Sequence, residues 1–196
     1  MISVSLLSKM SIYDVNIGGD TVITRVADRI AIVNLGISEL KAELNSSDSI
    51  VGIDSINDLA NNNTKFGGDL LLLYVKKRCL IIQYSRLLSL EKVRGIPDSL
   101  LQFLQDPNIA FVGPRNINTK WLFNSINPGG FNWKFEFRTV VDIGYLAAKV
   151  LKKPKLLTST LEEVEVEAGV DIKKPITSNG AMRENWTFLK FCRMRK

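Results

Sequence analysis

The sequence contains no histidine. Its absence excludes every mechanism that needs an imidazole: a Ser-His or Cys-His nucleophile pair, a histidine general base and a histidine-ligated metal. Cysteine is nearly absent too, with only Cys79 and Cys192, far apart and without metal-ligand spacing, so neither zinc nor a disulfide is expected. Cys79 lies inside an apolar run and reads as a buried core thiol. No apolar run is long enough to span a bilayer. The short patch from Ile2 to Leu7 is followed, not preceded, by Lys9, which is the wrong order for a secretory signal. The expected location is therefore cytoplasmic and/or nuclear, with no membrane partner.

Charge of one sign is only mildly in excess. Lys and Arg number 26 against 20 for Asp and Glu, and the net charge of +6 implies a weak general attraction for polyanions such as nucleic acid. Many of the basic residues fall late, at Lys149, Lys152, Lys153 and Lys155, then Lys173 and Lys174, then from Arg183 to Lys196. On their own they read as a solvated charged surface.

What is present is core-forming. With 196 residues of which 45% are apolar, the chain can bury one full core, and a single domain over residues 1–196 is expected. Val15, Ile17, Val22, Ile23 and Val26 flank Gly18 and Gly19, predicting a β-hairpin over 13–26 with a glycine turn. Ile30, Val33, Ile37, Leu40 and Leu44 recur at helical spacing, with Ser38 as a candidate cap, predicting a helix over at least the second half of 27–44. A short strand over 49–53 ends at Asp54, and the asparagine-rich stretch 57–68 reads as a loop. Two apolar runs, 70–75 and 79–84, are separated by Lys76, Lys77 and Arg78 and predict a second hairpin. Continuous apolar runs suit strands covered on both faces, hence a central sheet sandwiched by helices. A short helix over 97–104, a strand over 109–113, a helix over 119–126, a break at 127–131 and a helix over 139–151 complete the reading, so that the sheet precedes a helical second half.

Particular phrases in this order resemble the plant Werner-syndrome-like 3′-to-5′ exonuclease domains. Ile50-Val51-Gly52-Ile53-Asp54 resembles their "IVGLD" strand, and Arg78-Cys79-Leu80-Ile81-Ile82-Gln83 their "RCLIFQ" strand. Ile96-Pro97-Asp98-Ser99-Leu100 with Phe103-Leu104 is similar to their "IPxSLxxFL" helix, Ile109 to Gly113 to "FTFVG", and Val141-Asp142-Ile143 with Leu146-Ala147-Ala148 to "VDLxxLAA". The resemblance implies an α/β, ribonuclease-H-like three-layer fold with a central mixed sheet flanked by helices. It also implies a two-metal phosphodiester hydrolase, because two hard cations, roughly 3.5–4 Å apart, must be caged by carboxylate oxygens.

At three motifs this chain departs from the family. Asp54 matches the first acid of Asp-x-Glu, but Ile56 stands where the Glu belongs. The segment from Gly113 to Lys120 replaces the one carrying the second Asp, which aligns with Thr119, and no Asp or Glu occurs between Pro107 and Phe135. At the final Tyr-x-x-x-Asp, Lys190 and Met194 occupy the two positions, so the part from about residue 152 is expected to be divergent or shortened. Asp54 is then a vestigial catalytic and weak metal residue, and Arg115 and Lys120 are the candidates for contacting phosphate. The expected function is an exonuclease-like nucleic-acid-binding or assembly protein without efficient catalysis and without a cofactor. The alternative is a metal-dependent 3′-5′ exonuclease acting on DNA or RNA through Mg2+ or Mn2+, its site rebuilt from acids such as Asp58, Asp142, Glu162 or Glu184. A homo-oligomer is a further expectation, which an unusually apolar surface patch would support.

Overall fold

Strand-forming residues on either side of Gly18-Gly19 pair as β1 (Ile12–Ile17) and β2 (Asp20–Ala27), antiparallel from Ile12 opposite Arg25 to Ile17 opposite Asp20. The computed structural model describes residues 11–17, 20–44, 49–56, 70–91, 96–114 and 140–169. After β2 come α1 (Ile30–Glu43), β3 (Ile50–Ile56), β4 (Leu70–Val75), β5 (Arg78–Gln83), α2 (Tyr84–Glu91), α3 (Asp98–Leu104), β6 (Ala110–Gly113), β7 (Val140–Asp142) and α4 (Ile143–Val150). A 3-10 turn (Pro154–Leu157) and α5 (Leu161–Ala168) follow. The strands form one mixed sheet in the order β1-β2-β5-β4-β3-β6-β7. The architecture is α/β, as the sequence predicts.

Strand register sorts the side chains onto two faces, because partners across a ladder share a face and neighbours along a strand alternate. Arg25, Leu80, Leu73 and Ile53 are opposite one another across β2, β5, β4 and β3, and Val51 is opposite Phe111 of β6. This first face is the core. Leu71, Leu73, Leu80, Ile82, Val51 and Phe111 are all fully buried there beneath Ile32, Val33, Ile37 and Leu40 of α1 and Leu100 and Phe103 of α3. Phe103 meets Phe111 edge to face at 5.9 Å and 83°, the arrangement that aligns a ring's positive edge with its neighbour's negative face. On the second face Val22 and Thr24 are buried, Leu70, Leu72 and Ile81 are half-buried, and Ile50 and Tyr74 are exposed. Among the described residues, burial is complete along the first face and partial on the second, where Val22 and Thr24 are the buried positions.

Several boundaries differ from expectation for identifiable reasons. Ser38 does not cap α1: it lies mid-helix and exposed, while the helix starts at Ile30, with Arg29 as its N-cap. The burial of the Ile32, Val33, Ile37 and Leu40 stripe, not a polar cap, sets this helix. β3 does not stop at Asp54 but pairs on to Ile56 opposite Leu70. Tyr84 opens α2 instead of closing β5. Over 139–151 the apolar spacing hides a strand: Val140–Asp142 add to the sheet parallel to β6 before α4 begins, so the sheet does not simply precede the helices. Cys79 is half-buried, and burial pushes its thiol up to about 11. The loop at 57–68, the helix at 119–126 and the break at 127–131 lie outside the described residues.

Candidate functional site

Asp54 sits within β3, directly opposite Leu72 of β4, on the second face of the sheet. Its side chain is half-buried, and its Oδ1 accepts the Ser55 backbone N–H at 2.7 Å. Burial holds its carboxyl above the ordinary carboxylate range, opposed in part by that N–H. Two positions further along β3 is Ile56.

β3 and β6 run parallel, with Gly52 opposite Val112, so the chain leaving β6 at Gly113-Pro114 emerges at the same end of the sheet as Asp54. Open α/β sheets hold their ligands at that end, outside the carboxyl ends of parallel strands. The sequence from 107 to 135 contains no Asp or Glu.

The other candidates do not gather around Asp54 among the described residues. Asp142 is opposite Gly113 in the β6–β7 ladder, and Gly113 alternates with Val112, which shares Asp54's face. Asp142 therefore belongs to the opposite face, where its Oδ1 caps α4 by accepting the Tyr145 N–H at 2.8 Å. Glu162 lies in the first turn of α5, a helix that packs on α4 through Val164, Ala148 and Leu156. Arg115, Lys120, Asp58, Glu184 and the motif positions Thr119, Lys190 and Met194 lie outside the described residues.

No cluster of three or more Asp, Glu, Cys or His that could hold a metal is found among the described residues. Among the described residues Asp54 by itself does not supply the several oxygen ligands that each of a pair of hard dications needs. Sequence reasoning overlooked Gln83. The ladders Ile56–Leu70 and Leu70–Gln83 place it on Asp54's face, and its Oε1 is buried with no hydrogen-bond donor among the described residues. A lone glutamine ending an apolar strand was the available signal, and an unsatisfied buried acceptor is costly unless something donates to it.

The late basic cluster is partly neutralised. Lys153 and Lys155 both donate to the Glu167 carboxylate, and these contacts lower the carboxyl of Glu167 to about 2. Lys149 instead lies over the Tyr145 ring, 5.0 Å from its centroid.

The fold, a mixed sheet with helices, is shared with solved exonuclease domains. Among solved structures, the EXD2 exonuclease domain soaked in Mg is similar at 19% identity and a TM-score of 0.51, covering 74% of this chain and 68% of that one. The same domain soaked in Mn gives 19% identity and a TM-score of 0.52 over 74% of this chain and 67% of that one. RNase D of Escherichia coli, an exoribonuclease involved in structured RNA processing, aligns at 15% identity and a TM-score of 0.54, over 87% of this chain but 40% of its own. No family model and no curated protein matches the sequence. No helix among the described residues is long and apolar enough to cross a membrane.

Proposed function

We propose that this chain is an exonuclease-fold protein that binds nucleic acid or serves in an assembly, and that it lacks efficient catalysis. One observation carries the reading: the parallel pairing of β3 with β6 brings Gly113 and Pro114 to Asp54's end of the sheet, and the sequence from there to Phe135 contains no acid. Ile56, two positions beyond Asp54, removes a further ligand from the family's set. Losing one group that stabilises a developing charge commonly costs roughly a hundredfold or more in rate, and several are missing here. The net charge of +6 and the fold supply the case for nucleic acid as partner, with Arg115 and Lys120 as the residues that contact phosphate.

The test has two arms. Single-stranded and 3′-recessed oligonucleotides are incubated with the protein and Mg2+ or Mn2+, beside an Asp54→Asn control. The expected result is no degradation that the control abolishes. In the second arm the affinity for short oligonucleotides is measured against salt, and it should fall as salt rises because bound phosphates release counterions. A salt-independent or absent affinity would remove nucleic acid as the partner.

A second reading, metal-dependent 3′-5′ exonuclease, is favoured by the likeness to an exonuclease domain soaked in Mg and in Mn. Degradation that requires both the metal and Asp54 would establish it.

A further inference from the structure

α4 is inside out for a surface helix. Gly144 and Ala148 are buried and Ala147 is half-buried, with Ala147 and Ala148 packed in one cluster with Leu151, Leu156 and Val164, so its glycine and both alanines turn inward. Tyr145, Leu146, Lys149 and Val150 form one outward stripe and are all exposed, Val150 by 69%. A helix with apolar side chains on both faces is ordinarily covered on both. Among the described residues nothing covers the outer one.

The cations of this stripe are of one sign and free of acids. Lys149 lies at its centre, held over the Tyr145 ring at 5.0 Å from the centroid, and Lys152 lies just beyond its end. Neither meets a carboxylate among the described residues, whereas Lys153 and Lys155 are both taken up by Glu167. Lys152 also holds an unusual backbone. It follows the Leu151 C-cap at φ +54, the left-handed position that glycine ordinarily fills, in a turn closed by the Lys153 N–H on the Ala148 carbonyl at 3.0 Å. Backbone strain of this kind collects at binding sites, and here it goes with a side chain that a relaxed glycine would lack.

We propose that the outer stripe of α4 docks an acidic amphipathic helix of another protein. The chemistry of the stripe selects this occupant. Leu146 and Val150, four residues apart, present a ridge that accepts an apolar row of matching spacing, and Lys149 and Lys152 sit beside it for acids on the partner. A phosphate backbone would satisfy the lysines and leave Leu146 and Val150 without an apolar partner. The same stripe on a second copy would set lysine against lysine, a juxtaposition that costs affinity. Docking here rests on the assembly half of the reading above and is independent of Asp54, so its failure would leave the nucleic-acid half standing.

A random peptide library displayed on phage is panned against the full chain, and enriched peptides are synthesised and titrated by fluorescence polarisation. Enriched sequences should carry apolar residues three or four apart with Asp or Glu beside them. Lys149→Glu with Lys152→Glu, and separately Val150→Asp, should weaken their binding about tenfold or more. Lys41→Glu, at an exposed position of α1, should leave it unchanged. Replacing the peptide's acids with lysines should restore binding to the double glutamate variant, a rescue that misfolding cannot imitate. No enrichment, enriched peptides without acids, or binding indifferent to the double variant overturns the proposal. So does a double variant whose sedimentation shows a changed protomer number, which assigns the stripe to a second copy, or one that loses oligonucleotide affinity, which assigns it to nucleic acid.

Discussion

Arg25 and Glu39 form a two-pronged ion pair across the core face of the sheet, Nε to Oε2 at 2.8 Å and Nη2 to Oε1 at 2.6 Å. The Arg25 side chain is 4% exposed and Glu39 28%, and Nη1 also donates to the Ser11 hydroxyl at 3.0 Å. The pair ties β2 to α1 at the point where Gly36 lets the helix close on Leu80.

Its two halves differ in what their removal exposes. Glu39→Ala strands a guanidinium that water cannot reach, whereas Arg25→Met replaces it with an apolar group and leaves Glu39 partly hydrated. Glu39→Ala should cost about 2 kcal/mol, less than the fully buried case because the carboxylate already sees solvent, and Arg25→Met no more than about 1 kcal/mol. Urea denaturation of both variants checks the order, and a larger loss for Arg25→Met would refute it.

Asp54 makes the sheet less stable when ionised. Its carboxyl is raised in the folded state, so above the unfolded carboxyl's pKa of about 4 the folded protein must give up a proton it holds better than the unfolded chain does. Below that pH both states are protonated and the difference vanishes. Asp54→Asn keeps an acceptor for the Ser55 N–H and should therefore raise the unfolding midpoint at pH 7, with the gain shrinking as pH falls towards 4. A midpoint lowered at pH 7 would show that the carboxylate is held by a partner that favours its charge.

Gly144 marks where α4 meets the 3-10 turn. A Cβ there would lie 2.7 Å from the Leu156 carbonyl oxygen and 2.9 Å from Asp142 Oδ1. The first obstacle is backbone and cannot rotate away, so Gly144→Ala should destabilise by about 1–3 kcal/mol despite alanine's better helix propensity. Thermal denaturation would show it, and an unchanged or higher midpoint would contradict the close approach.

Much of the sheet was legible because its strands are short apolar runs bounded by turn residues: 70–75 and the strand before Gly113 emerge almost where the sequence puts them. Helix edges were less so. Ser38 looked like a cap, yet the chain was already helical eight residues earlier, since burial of Ile32 and Val33 outweighs a polar start signal. Val140 and Val141 fit a helical spacing and a strand equally well, and only a neighbour at β6 with unsatisfied backbone groups favours the strand.

Amino-acid order by itself determined which chemistry is missing. A chain without histidine, and without an acid from 107 to 135, lacks those ligands in whatever shape it folds. Tertiary structure alone decided which of the remaining acids can meet. Side chains alternate along a strand, so the register of β3, β6 and β7 sends Asp54 and Asp142 to opposite faces, a separation that their sequence positions do not encode.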